Sequence, residues 1–375
     1  MSVHMEEQVV PSDAGDTAGV AHAAGGTQPV QVWLYTIAAL IALMVVVGGA
    51  TRLTDSGLSI TEWQLVMGAI PPLTEADWLG AFEKYKQIPE YTNINRGMSL
   101  EEFQFIYWWE WGHRFLGRII GFVFLIPLLW FWFRGRLGRS IGAKLAVLFV
   151  IGGAQGFLGW YMVQSGLAER VDVSQYRLAA HLGLAVLLFA ATLWIAFGLR
   201  VWRPEGEPAG SWASNGAAAL CVLIFLQIIL GAFVAGLDAG MGYNTWPTMN
   251  GEYIPEGLMI MEPAWKNLFE NAMTVQFNHR MLAYVIALVA IAYAFQTFRR
   301  RGKGVLSASS ALIGFVVLVQ IGLGIATVVW QVPIDVALTH QVGALVLLAL
   351  ALHHLHILVS RNRERERGRQ APTPS

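Results

Sequence analysis

Apolar residues run along this chain in eight blocks of bilayer length, separated by short polar turns and two long loops. The blocks are Trp33–Ala50, Phe105–Phe133, Ala143–Val163, Leu178–Leu199, Ala217–Leu237, Ala272–Phe298, Leu306–Trp330 and Val336–Val359. A hydrocarbon core about 30 Å thick is crossed by roughly 20 apolar residues in a helix. Each block therefore predicts a transmembrane helix, and the fold class is an all-α polytopic membrane protein. The second and sixth blocks are long enough to tilt or to project beyond the bilayer. Composition agrees: 55% of the residues are apolar and only 13% charged, too little charge to cover a soluble protein of 375 residues. No nucleic-acid partner is expected, and lipid is.

Net charge is zero, but its distribution is uneven. Lys and Arg crowd the second–third loop (Arg134, Arg136, Arg139, Lys144) and the sixth–seventh loop (Arg299, Arg300, Arg301, Lys303). They recur at Arg200 and Arg203 and from Arg361 to Arg369, while the alternate loops are sparse in them. The positive-inside rule then puts both termini in the cytoplasm. Residues 1–31, rich in Gly, Ala and acidic side chains, read as a disordered tail. They lack the basic start of a signal peptide, so the first block reads as an uncleaved anchor. Cys221 is the only cysteine, which excludes an intramolecular disulfide.

The two long loops lie on the outer side, at roughly 51–104 and 238–271, with a helical-looking Thr74–Lys86 segment in the first. Gly48, Asp55, Gly57 and Trp63 match Gly231, Asp238, Gly240 and Trp246 in spacing, and Gln155 and Gly159 match Gln320 and Gly324. This indicates a tandem duplication of a four-helix unit. Four spans is an even number, so the copies share one orientation. The expected organisation is two tandem four-helix bundles: tail 1–31, N-terminal half 32–200, linker 201–216, C-terminal half 217–359 and basic tail 360–375.

The chemistry concentrates where the second block begins, at Tyr107-Trp108-Trp109-Glu110-Trp111-Gly112-His113-Arg114. Ionisable side chains inside a span are costly and usually mark function. Glu110 and His113 are three apart and share a helix face. The stretch returns as Gln276-Phe277-Asn278-His279-Arg280, with an amide in place of the acid. Together with His181 and His340, four histidines stand near the outer ends of the four even-numbered spans. In an up-down bundle the second and fourth helices lie on a diagonal. His113 can then face His181, and His279 can face His340, across a flat macrocycle whose iron takes one imidazole on each side. Zinc fits less well, because no cysteine or carboxylate cluster completes a tetrahedron. Arg114 and Arg280 suit haem propionates or phospholipid head groups equally, both being anions. Gly48, Gly49, Gly152, Gly153, Gly156, Gly159, Gly231, Gly322 and Gly324 allow close helix packing and leave room for a planar ligand. His353, His354 and His356 read as interfacial.

By Glu110-Xaa-Xaa-His113-Arg114, His279-Arg280, His181 and His340, the chain resembles the haem A synthase family over nearly all its spans. The resemblance implies oxidation of the C8 methyl of haem O, through an alcohol, to the formyl group of haem A for cytochrome aa3-type oxidases. It also implies a haem b held by His279 and His340, substrate or product haem held by His113 and His181, and a catalytic role for Glu110. Some members carry cysteine pairs in the outer loops; this chain resembles the branch without them. The implied setting is a bacterial inner membrane, with handover from a haem O synthase and an unnamed electron acceptor or donor; a homo-oligomer is left open. The rivals are a quinol-linked dihaem b-type electron carrier and a haem chaperone or transporter.

Overall fold

A computed structural model describes residues 16–63, 67–167, 171–199 and 210–370. Its helices, in chain order, are α1 (Asp16–Leu53), α2 (Glu75–Tyr85), α3 (Pro89–Asn93), α4 (Leu100–Phe133), α5 (Arg139–Leu167) and α6 (Gln175–Gly198). They continue with α7 (Ser211–Gly236), α8 (Ala239–Gly242), α9 (Asn267–Glu270), α10 (Ala272–Arg301), α11 (Val305–Val329) and α12 (Ile334–Gln370). Eight of these, α1, α4, α5, α6, α7, α10, α11 and α12, are long and apolar enough to cross a membrane. No strand occurs among the described residues.

Several helices run past their apolar blocks, for local reasons. At α4, Ser99 accepts from the Glu102 amide while the Glu102 carboxylate accepts from the Ser99 amide. This capping box starts the helix a turn and a half before the apolar run. At the N-terminus α1 already begins at Asp16, so the helix takes in the second half of the expected tail despite Gly19, Gly25, Gly26 and Pro29. Residues 1–15, most of the expected 201–216 linker and residues 371–375 lie outside the described residues. At the other end α12 carries on through the Arg/Glu segment to Gln370.

Each half closes on itself. In the first, α1 packs on α4, α4 on α5, α5 on α6 and α6 on α1; in the second, α7, α10, α11 and α12 repeat that ring. The halves meet through α1 and α6 against α7 and α12. One apolar cluster spans this seam, joining Val45, Val186 and Phe189 to Leu220, Ile224, Leu345 and Leu348. The first long loop is ordered on top of the N-terminal half. Thr74 and Asp77 form a second capping box, and Trp78, Phe82 and Tyr85 pack with Phe103 and Tyr107 of α4 into a separate core. This lid reaches the α4 turn that carries Glu110.

Two paired-histidine sites

The repeat places each histidine against a glycine of the preceding span. A Cβ built on Gly48 would lie 3.1 Å from His113 Nε2, and one on Gly159 2.9 Å from His181 Cε1. In the second half the same construction on Gly231 falls 3.3 Å from His279 Cε1, and on Gly324 3.1 Å from His340 Cε1. These approaches are tighter than ordinary contact, so glycine is what lets each imidazole lie on the neighbouring backbone. By contrast, Gly152, Gly153, Gly156 and Gly322 face open space.

In the C-terminal half the rings of His279 and His340 have centroids 6.5 Å apart and planes at 77°. An iron atom bonded to one nitrogen of each ring at about 2 Å sets the centroids on the order of 6 to 6.5 Å apart. The pair therefore fits a six-coordinate haem iron. In the N-terminal half His113 and His181 lie within electrostatic reach of one another. Among the described residues no group of three or more His, Cys, Asp or Glu side chains gathers as a metal-ion site. Each site thus offers two imidazoles.

Glu110 is 3% exposed. Its Oε2 accepts from Ser59 Oγ at 2.8 Å and from the Ile60 amide at 2.7 Å, and its Oε1 from Arg114 Nη2 at 2.6 Å. Arg114 also donates to the carbonyls of Ile60 and Glu62, at 2.9 and 3.0 Å, beneath the Trp63 ring. The second half repeats the frame. Arg280 donates to the carbonyls of Tyr243 and Thr245, at 2.8 and 2.9 Å, which are the repeat counterparts of Ile60 and Glu62. Gln276, 1% exposed, reverses the polarity of its counterpart by donating to the Tyr243 carbonyl at 3.2 Å. Both arginines are thus committed to the loop that follows the first span of their half. A propionate or lipid phosphate would have to share them.

Three features escaped the sequence. Glu90 on α3 is 5% exposed, with Oε2 unpartnered among the described residues. Burial first, and then the charge of Glu110, push its carboxyl up to about 8. His354 is fully buried rather than interfacial, because Tyr293 Oη lies 2.8 Å from its Nε2 and Ser309 Oγ 2.7 Å from its Nδ1. Arg52 at the end of α1 binds both carboxylate oxygens of Asp238 at 2.7 Å and Asp55 at 3.0 Å. The repeat match of Asp55 with Asp238 has a backbone cause: both sit in the left-handed region, at φ 47° and 48°.

Eight membrane-length helices place the chain among integral membrane proteins, with two repeat-related histidine pairs, one of them beside a buried acid. Residues 31–352 match COX15-CtaA, described as a cytochrome oxidase assembly protein, and the chain belongs to that family. It is similar to the protein named haem A synthase of Chelativorans sp. (strain BNC1), with 54% identity over 85% of this chain and 88% of that one. Proteins of the same name from Rhodospirillum centenum (51%, covering 89% of each chain) and Azorhizobium caulinodans (52%, covering 88% and 95%) are similarly related.

Proposed function

We propose that the protein is a haem A synthase, an integral membrane oxidoreductase that converts haem O to haem A. The relatives' shared name supports this, and one observation supports the division of labour. Two repeat-related histidine pairs stand in matching frames that differ by a single charge, Glu110 against Gln276. His279 and His340 would hold a resident haem b, which would supply one-electron redox chemistry when bound. His113 and His181 hold the substrate haem. Converting a methyl to a formyl group removes four electrons to an external acceptor and, where water supplies the oxygen, releases four protons. Glu110, one turn from His113 and fixed by three donors, is placed to receive one or to stabilise developing positive charge. Arg114 and the Ser59–Ile60 segment hold that carboxylate still. Gln276 cannot accept a proton in this way, as suits a half that only holds its cofactor.

Both termini are cytoplasmic in this reading, which puts both sites in the outer half of an inner membrane. A dihaem electron carrier would use the same histidines and leave Glu110 as a proton relay; conversion of supplied haem O to haem A in the purified protein separates the two readings. The test is purification of four alanine variants with spectroscopy and pigment extraction. His279→Ala and His340→Ala should each remove the low-spin haem b signal. His113→Ala and His181→Ala should spare it and abolish haem A. Equal loss of haem b in all four would refute the two-site division.

A further inference from the structure

Three of the four histidines are bracketed by a glutamine, and the fourth is not. Gln155, Gln227 and Gln320 each lie four residues before the glycine that meets a histidine, one helical turn away. Gln155 Nε2 donates to the His181 carbonyl at 2.9 Å, Gln227 Nε2 to that of His279 at 3.0 Å, and Gln320 Nε2 to that of His340 at 2.9 Å. In all three the Oε1 is buried with no hydrogen-bond partner. His181 Nδ1 and His340 Nδ1 are buried and unpartnered as well, while the Gln227 carboxamide nitrogen lies 3.2 Å from both His279 ring nitrogens and that of Gln155 lies 3.5 Å from His181 Nε2.

Buried polar atoms left without partners in matching pairs call for an explanation. An imidazole that binds iron through Nε2 carries its proton on Nδ1 and needs an acceptor, which fixes the ring and raises its basicity. The orphaned carboxamide oxygens are acceptors of the kind required, on side chains already bonded to the same histidines' carbonyls.

The fourth position, four residues before Gly48, is Met44. A thioether has no N–H to give the His113 carbonyl and is only a weak acceptor. Met44 packs instead toward Gly117, one turn beyond His113, where a glycine Cβ would lie 3.5 Å from its methyl. We propose that Gln155, Gln227 and Gln320 are positioning residues that lock three axial histidines, and that Met44 leaves His113 as the ligand that lets go. This rests on the haem-ligand reading above and adds a route: substrate haem enters and product leaves by exchange at His113. The resident site has two brackets and the substrate site one, an asymmetry independent of Glu110.

The experiment measures haem release from the purified holoprotein, filled with protohaem in detergent, to excess apomyoglobin. Wild type should release in two phases, fast from the His113 site and slow from the His279 site. Met44→Gln should slow the fast phase about tenfold or more. Gln227→Met and Gln320→Met should each speed the slow phase by about 10- to 100-fold, the usual scale for losing a ligand's outer partner, and shift the low-spin electron paramagnetic resonance signal. Should Met44→Gln fail to fold, Gln155→Met should speed the fast phase instead. Unchanged phases in these exchanges would overturn the proposal alone. Phases that also ignore His113→Ala and His279→Ala would overturn the ligand reading beneath it.

Discussion

At the scale of single residues, Glu110 and Gln276 form an internal control. The same helix turn, arginine and loop carbonyls surround both, yet one side chain accepts from the loop and the other donates to it. Glu110→Gln keeps the size and one carbonyl oxygen, so Arg114 or the Ile60 amide retains its partner. The remaining unpaired donor costs on the order of 1–3 kcal/mol locally, which an assembled bundle tolerates. The expected protein folds, keeps the haem b signal and accumulates haem O or its alcohol on chromatography of extracted pigment. Haem A at the wild-type rate would make the carboxylate structural. The four histidines were legible because the chain states them at repeat-related positions, and Glu110 because it stands in one copy of a stretch whose other copy has Gln276. Gln227 was not, since its repeat counterpart is Met44 and a comparison of the halves erases it. Glu90 and His354 were illegible for another reason: their burial depends on distant chain, as His354 depends on Ser309 and Tyr293.

At the scale of elements, apolar runs located all eight membrane helices, and their polar ends were what the runs left out. Ser99 and Glu102 begin α4 at Leu100 through hydrogen bonds that hydropathy does not register. The Thr74–Lys86 segment was legible almost to the residue, because Thr74 and Asp77 are a capping pattern in sequence as well as in space. Glycines separate into two kinds that sequence alone does not distinguish. Gly159→Leu should push the His181 ring from its seat and lower haem occupancy in the N-terminal half, with the haem b signal kept. Gly152→Ala meets open space and should be neutral, or stabilise by up to about 1 kcal/mol through helix propensity. Haem-to-protein ratios and thermal denaturation of the two variants check both outcomes. An equal loss in both would mean that the stripe serves packing alone.

At the scale of the whole molecule, the duplicated plan was visible in motif spacing, and the structure adds how the copies join. The Lys/Arg pattern predicts that reporter fusions after Arg139 and Arg301 report the cytoplasm and that fusions within 75–95 report the outside. Reversed results would invert both haem sites across the bilayer.

At the seam, Arg52 and Gly49 break the symmetry that the rest of the fold keeps. The counterpart of Arg52 is Ala235, and Arg52 donates to that residue's own carbonyl at 3.3 Å while gripping Asp238. Gly49 admits the carboxamide of Gln341, which donates to the Val45 carbonyl at 3.1 Å. A pairing of two C-terminal halves would leave both aspartates without this cation, because Ala235 stands where the N-terminal half has Arg52, whereas the N-terminal half carries both Arg52 and Asp55, the counterpart of Asp238. The cation and the carboxamide that cross the seam are each supplied by one half alone. The join between the copies therefore draws its guanidinium from the N-terminal half, and the C-terminal half, with Ala235 in that place, has none to return.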